Sequence, residues 1–243
     1  MNIFIWNVRG AGNQHFIRST KTYIRQYNAN ILVLMETKIG GIQADKYLAK
    51  IGCSKAIKFD PIGFSGGIWI LWKEEDVSIE LIPLFNQTIN VVISHRWKGQ
   101  WLFIAFYASP ITTIRHKLWT TLKEIHQINK LPWLIAECSL IDLGATVPKF
   151  TWSNGKPGNQ LTRERLDKAF CSADWRKMFP DAIVQNLAHL RTDYHPILVA
   201  VDQHCKVDPP LKTFRFEMAW MQHAHFNNFV NSIVPAHFLK IDI

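Results

Sequence analysis

Residues 2–8 alternate in the manner of a half-buried strand, and Arg9-Gly10-Ala11-Gly12 ends the run. From Gln14 to Tyr27, Phe16, Thr20, Tyr23/Ile24 and Tyr27 recur at helical spacing, which predicts an amphipathic helix. Ile31-Leu32-Val33-Leu34-Met35 has no polar alternation at all, and such a run suits a central strand buried on both faces. Glu36-Thr37-Lys38 closes it, and a short helix over 44–51 is stopped by Gly52.

A β-rich stretch follows. Residues 55–60, 67–72, 77–84, 89–95 and 101–107 are β-branched or aromatic, parted by turn formers such as Ile62-Gly63 and Trp97-Lys98-Gly99-Gln100. Ile114, Leu118, Leu122 and Ile125 place a helix over 112–128. Strands are then expected at 133–136, 149–152, 165–170, 183–187 and 197–201. Strands and helices alternating around hairpins predict an α/β fold of two packed sheets with helices outside. Most tryptophans fall at periodic core positions, with Trp152 and Trp175 the better candidates for exposure. Beyond Val201 a linker, with Val207-Asp208-Pro209-Pro210, leads into an aromatic-rich helix over 217–233. A tail this small cannot bury a core of its own.

Composition narrows the classes. The chain has 243 residues, 48% hydrophobic and 19% charged, enough for a sizeable core. No apolar run reaches the ~18 residues of a membrane helix. Cys53, Cys138, Cys171 and Cys205 are far apart, against a zinc ribbon or a disulfide framework, so no disulfide-linked partner is expected. The N-terminus lacks a basic region and a small-residue cleavage site, and a nuclear or cytoplasmic protein, not a secreted one, is expected. The net charge of +9 favours a polyanionic partner.

Candidate chemistry sits where strands end. Asn7 ends the first strand, Glu36 the central one and Tyr107 another, and Asp193 lies in Arg191-Thr192-Asp193-Tyr194-His195-Pro196. Each alone has a structural explanation: a turn former, a helix N-cap, a half-buried core tyrosine. Their order is more specific. Trp6-Asn7-Val8-Arg9-Gly10, Met35-Glu36-Thr37-Lys38, Phe106-Tyr107-Ala108, Arg165-Leu166-Asp167 and Thr192-Asp193 together resemble the endonuclease–exonuclease–phosphatase superfamily. Ser65-Gly66-Gly67-Ile68-Trp69-Ile70-Leu71-Trp72, Lys149-Phe150-Thr151-Trp152-Ser153-Asn154 and Arg163-Glu164-Arg165-Leu166-Asp167-Lys168-Ala169-Phe170 look like the endonuclease domain of plant-type LINE (non-LTR) retrotransposons.

The resemblance implies a four-layered α/β sandwich, two mixed sheets flanked by helices, that cleaves phosphodiester bonds in DNA with Mg²⁺, or Mn²⁺ in its place. It implies that Asn7 and Glu36 form the metal side, which is feasible because Mg²⁺ needs few protein ligands beside water and phosphate. Tyr107 resembles the tyrosine that contacts the scissile phosphate. Asp193 matches the acid of a Ser-Asp-His motif, and Asp167 the acid that orients its histidine. Arg9, Lys38 and Arg163, inside the matched motifs, become candidate nucleic-acid contacts.

Two departures fall on the chemistry. After Trp133-Leu134-Ile135-Ala136 the family has Gly-Asp-x-Asn, whereas this chain runs into Glu137-Cys138-Ser139-Leu140-Ile141-Asp142-Leu143-Gly144, as an internal deletion would leave it. Second, Tyr194 stands where the motif's histidine belongs. A tyrosine titrates at ~10 against ~6.5 for histidine, so it is a poor base at neutral pH. His195 is the adjacent imidazole and remains a catalytic candidate, although one step along an extended segment points its side chain elsewhere. Gly63-Phe64-Ser65-Gly66-Gly67 lacks the Lys of a phosphate-binding loop, and His223 and His225 lack metal-binding spacing.

The expectation is therefore a degenerate, catalytically impaired DNA endonuclease-type domain over residues 1–203. Residues 204–243 would be a linker and helical tail, the stub of a lost continuation. Alternatives are a non-catalytic binder of DNA or RNA and an unselected retroelement fragment. A monomer that does not engage membranes is expected.

Overall fold

In the computed structural model, residues 1–202 are described except 14, 64, 83–87, 96–98, 108–111, 114, 119, 121, 123–130, 135–140, 147 and 189–192. The chain divides into two compact units, Met1–Lys206 and Val207–Ile243. The expected helix over 217–233, His223, His225 and the Ala136–Glu137 junction lie outside the described residues.

The first sheet is built from β1 (Asn2–Asn7), β2 (Ile31–Met35), β3 (Lys55–Phe59), β4 (Ile68–Trp72), β13 (Ile183–Asn186) and β14 (Ile197–Ala200), in the order β13-β14-β1-β2-β4-β3. β1 and β2 are parallel, with Asn7 opposite Met35; the other pairs are antiparallel. The second sheet runs β5 (Ser78–Ile82), β6 (Thr88–His95), β7 (Gly99–Phe106), β8 (Trp133–Leu134), β12 (Phe170–Cys171), β9 (Ile141–Asp142), with β7 and β8 parallel. A separate hairpin joins β10 (Trp152–Ser153) to β11 (Arg163–Glu164).

Side-chain alternation sorts the residues into layers. Ile3, Ile31, Val33, Ile68 and Ile70 of the first sheet pack with Val91, Ile93, Trp101, Phe103 and Ala105 of the second in one apolar core. The opposite faces are covered by helices. Phe4 and Trp6 of β1 meet Tyr23 of α1 (Phe16–Gln26) at ring-centroid distances of 5.0 and 5.4 Å, and Trp69 of β4 meets Phe16 edge-on. Helix α2 (Gly41–Ile51) buries Ala44 and Ile51 and ends on Gly52 at φ +87°. Leu102 and Ile104 of β7 pack under Leu118 and Leu122, helical residues on the outside of the second sheet. The four-layered α/β sandwich is thus the fold.

Several local expectations change. Gly99 and Gln100 open β7 and are not turn residues. The strand expected over 165–170 is two short strands, β11 and β12, with 165–169 held by side chains instead. Of 149–152, only Trp152 is in a strand. A helix the periodicity missed, α3 (Ala173–Met178), starts on Ser172, whose hydroxyl accepts the Trp175 N–H. Trp175, expected to be exposed, is fully buried against Trp101 and Phe179 at centroid distances of 5.7 and 4.9 Å. Six residues were too few for a period to be visible, and the aromatic cluster they complete is tertiary.

Gly66 and Gly67 carry φ of +78° and +87°. A Cβ on Gly67 would strike the Thr37 side chain and lie 3.3 Å from the Lys38 N, whereas Gly66 faces open space. Both alanine variants incur left-handed strain, and Gly67→Ala adds the collision. Urea unfolding should give a loss of roughly 1–2 kcal/mol for Gly66→Ala and roughly 2–4 for Gly67→Ala. Equal losses would contradict this packing.

Candidate functional site

The carboxyl ends of β1, β2 and β7 meet at one rim of the inter-sheet core. Asn7 shares the face of Ile3 and Ile5, and Tyr107 continues the face of Trp101, Phe103 and Ala105, so both side chains aim between the sheets. Glu36 follows the core-facing Met35, and simple alternation would turn it to the helix side. Its backbone instead takes φ +53°, and its neighbours Arg9 and Lys38 take +47° and +56°. Three non-glycine residues in this conformation, side by side, mark a strained and over-determined segment.

The strain is held by backbone hydrogen bonds from both neighbouring strands. Gly10 and Ala11 N–H groups donate to the Glu36 and Thr37 carbonyls at 2.8 Å each. The Thr37 and Lys38 N–H groups donate to the Gly67 and Gly66 carbonyls at 3.2 and 3.1 Å. So fixed, the Glu36 carboxylate accepts the Asn7 amide N–H at 2.8 Å and lies 3.7 Å from the Lys38 ammonium. Asn7 Oδ1 accepts the Arg9 N–H at 3.2 Å. The Tyr107 hydroxyl hydrogen-bonds with Glu36 and Ser65, and its pKa is raised by burial first and by the Glu36 charge next.

A second group of residues comes from the hairpin side. The buried Thr151 hydroxyl accepts the N–H groups of Leu166 and Asp167 at 2.9 Å each, and its carbonyl accepts the His195 N–H at 2.7 Å. Trp152 bridges to Tyr194, and the Ser153 N–H donates to the Asp193 carbonyl at 3.3 Å. Thus Thr151-Trp152-Ser153 lays Asp193-Tyr194-His195 alongside Asp167. Arg165 anchors the same run: its guanidinium grips Asp142 at 2.9 and 2.7 Å and donates to the Gly144 carbonyl at 2.8 Å. Asp142 is therefore engaged in structure. Burial raises its pKa, but the Arg165 bonds prevail and hold it below the usual carboxylate range.

Arg9 ties the two groups together. Its guanidinium pairs with the Asp193 carboxylate and sits 6.0 Å from the centre of the Tyr194 ring. Both partners of that pair are about half exposed (49% and 57%), so it contributes little to stability. The His195 ring pairs through Nδ1 with the Leu187 carbonyl at 2.8 Å; because a carbonyl only accepts, Nδ1 carries the proton. Arg163 is exposed on the hairpin, opposite Ser153. Glu137 lies outside the described residues. Ser65 and Thr151 are site residues that the motif matching quoted without a role; nothing short of tertiary contact assigns them one.

The electrostatics are unusual. Asp167 is pushed up to about 7, chiefly by burial and further by the Glu36 charge, with the Thr151 hydrogen bond opposing. Its Oδ2 is buried without a hydrogen-bond partner. Tyr194 is pushed up to about 12 by burial, then by Glu36 and Asp167, with Arg9 opposing. A hydroxyl with that pKa stays protonated at neutral pH: it can donate a hydrogen bond but cannot act as a base. Among the described residues no group of three or more His, Cys, Asp or Glu could hold a metal ion. The donors at Glu36 are all oxygens, one carboxylate aided by amide and hydroxyl groups. That set fits a hard cation that keeps most of its water, and not a thiophilic one.

Asp167 gives a pH signature. Its folded pKa of about 7 exceeds the model value of 3.8, so between those values the native state binds more protons than the unfolded state. Stability should therefore fall as pH rises through that window. Asp167→Asn, which imitates the neutral acid, should flatten the fall and leave the variant more stable than the parent at pH 8. Urea unfolding at pH 5 and 8 checks this; a difference between the two proteins that does not change with pH would contradict it.

No family model matches the chain, and no curated protein matches it. Solved structures do. The AP endonuclease LMAP from Leishmania major superposes with a TM-score of 0.63 at 11% identity, covering 82% of this chain and 86% of its own. The endonuclease domain of TRAS1, a telomere-specific non-LTR retrotransposon, gives 0.58 at 13% identity, covering 82% and 96%. The 3′ phosphatase NExo from Neisseria, bound to a product DNA hairpin, gives 0.58 at 15%, covering 83% and 99%. At these identities the likeness concerns the fold, which is the α/β sandwich of the endonuclease–exonuclease–phosphatase nucleases.

Proposed function

We propose that this chain is a DNA endonuclease-type domain of LINE retrotransposon origin whose cleavage step is impaired. The observation that carries the reading is the Asn7–Glu36–Tyr107 set at the sheet rim, facing Tyr194 where hydrolysis calls for a base. The quoted motifs support the retrotransposon origin, as does the fold shared with the TRAS1 domain.

In this reading Asn7 fixes the rotamer of Glu36, and Glu36, with the Asn7 and Tyr107 oxygens near it, would hold Mg²⁺ or Mn²⁺. Such an ion supplies Lewis-acid polarisation of a phosphoryl oxygen. Tyr107 keeps its proton and donates a hydrogen bond to the phosphate. Lys38, Arg9 and Arg163 bring positive charge to the strand. What the site lacks is a group to take the proton from the attacking water. Tyr194 holds its own proton, and Asp167, close to half protonated at neutral pH, has no imidazole to orient. Loss of a general base costs ~10²–10⁴-fold. A binder without cleavage is the second reading, favoured by the net charge of +9.

Supercoiled plasmid with Mg²⁺ tests both. The protein should bind DNA with an affinity that falls steeply with salt. Nicking should be slow, abolished by Glu36→Ala and raised at least tenfold by Tyr194→His. Absence of DNA binding at low salt would overturn the reading, as would a Glu36→Ala variant that nicks as fast as its parent. Nicking by neither the parent nor Tyr194→His, with binding intact, would decide for the binder.

A further inference from the structure

Beside the Glu36 cluster, the loop after β1 and the first turns of α1 enclose a cavity of about 440 Å³, a size typical of small-molecule sites. Its lining includes two unlike halves. Trp6 and Phe16, each 4% exposed and stacked at 6.1 Å, supply an apolar wall. Arg9, His15, Ser19 and Asp193 supply polar groups. Arg9 and Asp193 also belong to the candidate site, so a strand laid across Glu36 passes the mouth of this cavity.

Resting on the reading above, we propose that this cavity is a nucleobase pocket, taking the base of the nucleotide next to the phosphate held at Glu36. A base has an apolar face and a hydrogen-bonding edge, which match the aromatic wall and the Ser19 and Asp193 groups. Its backbone phosphate would meet the Arg9 guanidinium at the mouth, and the first turn of α1 holds no acidic residue to repel it. Inorganic phosphate would leave the aromatic wall unused, and an aliphatic ligand would leave the polar groups unpaired.

The test uses single-stranded DNA oligomers in which one baseless nucleotide is walked along the strand, with binding read by fluorescence anisotropy at low salt. One position should weaken binding about tenfold or more, as loss of a stacked base does. Ser19→Phe, which fills the cavity, should bind the intact strand as weakly as that oligomer and lose the positional dependence. Uniform binding along the walk, or a Ser19→Phe variant that keeps the dependence, would overturn the pocket while leaving the DNA-binding reading intact. Failure of every oligomer to bind would overturn both. The walk on the unaltered protein decides alone if Ser19→Phe does not fold.

Discussion

Glu36 sits at φ +53° because the loops after β1 and before β4 leave its segment no alternative. Four backbone hydrogen bonds, from Gly10, Ala11, Thr37 and Lys38, clamp the three-residue run that follows β2. At about 0.5–1.5 kcal/mol net each, they together match or exceed the ~1–3 kcal/mol that a left-handed non-glycine residue costs. Without this clamp Glu36 would alternate away from the inter-sheet face, and Asn7 and Tyr107 would have no carboxylate to meet. Gly67 is part of the same device, since any side chain there would strike Thr37. The rim between the sheets is therefore set by backbone geometry before any side-chain chemistry enters.

The charges then follow from that placement. Glu36, Asp167 and Asp193 gather at one rim, and only Arg9 and Lys38 among the cited groups pair with them. Burial and mutual repulsion raise Asp167 and both tyrosines. A cluster that disfavours its own ionised form is what a bound cation, or a protonated base, would relieve. Here the residue at the base position is a phenol, and the field of Glu36 and Asp167 pushes its pKa further up. The substitution thus removes the imidazole and also places its replacement where ionisation is hardest.

The sequence made the long elements legible because their periods are clear. β1, α1, β2, β4, β13 and β14 fall within a few residues of where alternation or helical spacing puts them. Asn7, Glu36 and Tyr107 could be found because strand ends concentrate chemistry, and their order resembles a known family. The hairpin side was less legible. Residues 165–169 look like a strand by composition, but they are held by the Thr151 hydroxyl and the Arg165–Asp142 pair, contacts between residues 15 to 23 positions apart. Trp175 looked surface-bound in a short polar segment, yet it closes an aromatic cluster with Trp101, which comes from another element entirely. Positive φ at Glu36 had no sequence signal, because glycine or asparagine usually carries that conformation.

The central claim is that the Glu36 carboxylate, oriented by Asn7, is where a hard divalent cation is held. Paramagnetic broadening by Mn²⁺ tests it without requiring activity. Substoichiometric Mn²⁺ should selectively erase the Asn7 side-chain amide and Gly10 backbone amide resonances, and Glu36→Ala should abolish the effect. Broadening centred on other residues, or signals at Asn7 that persist at saturating Mn²⁺, would contradict the account.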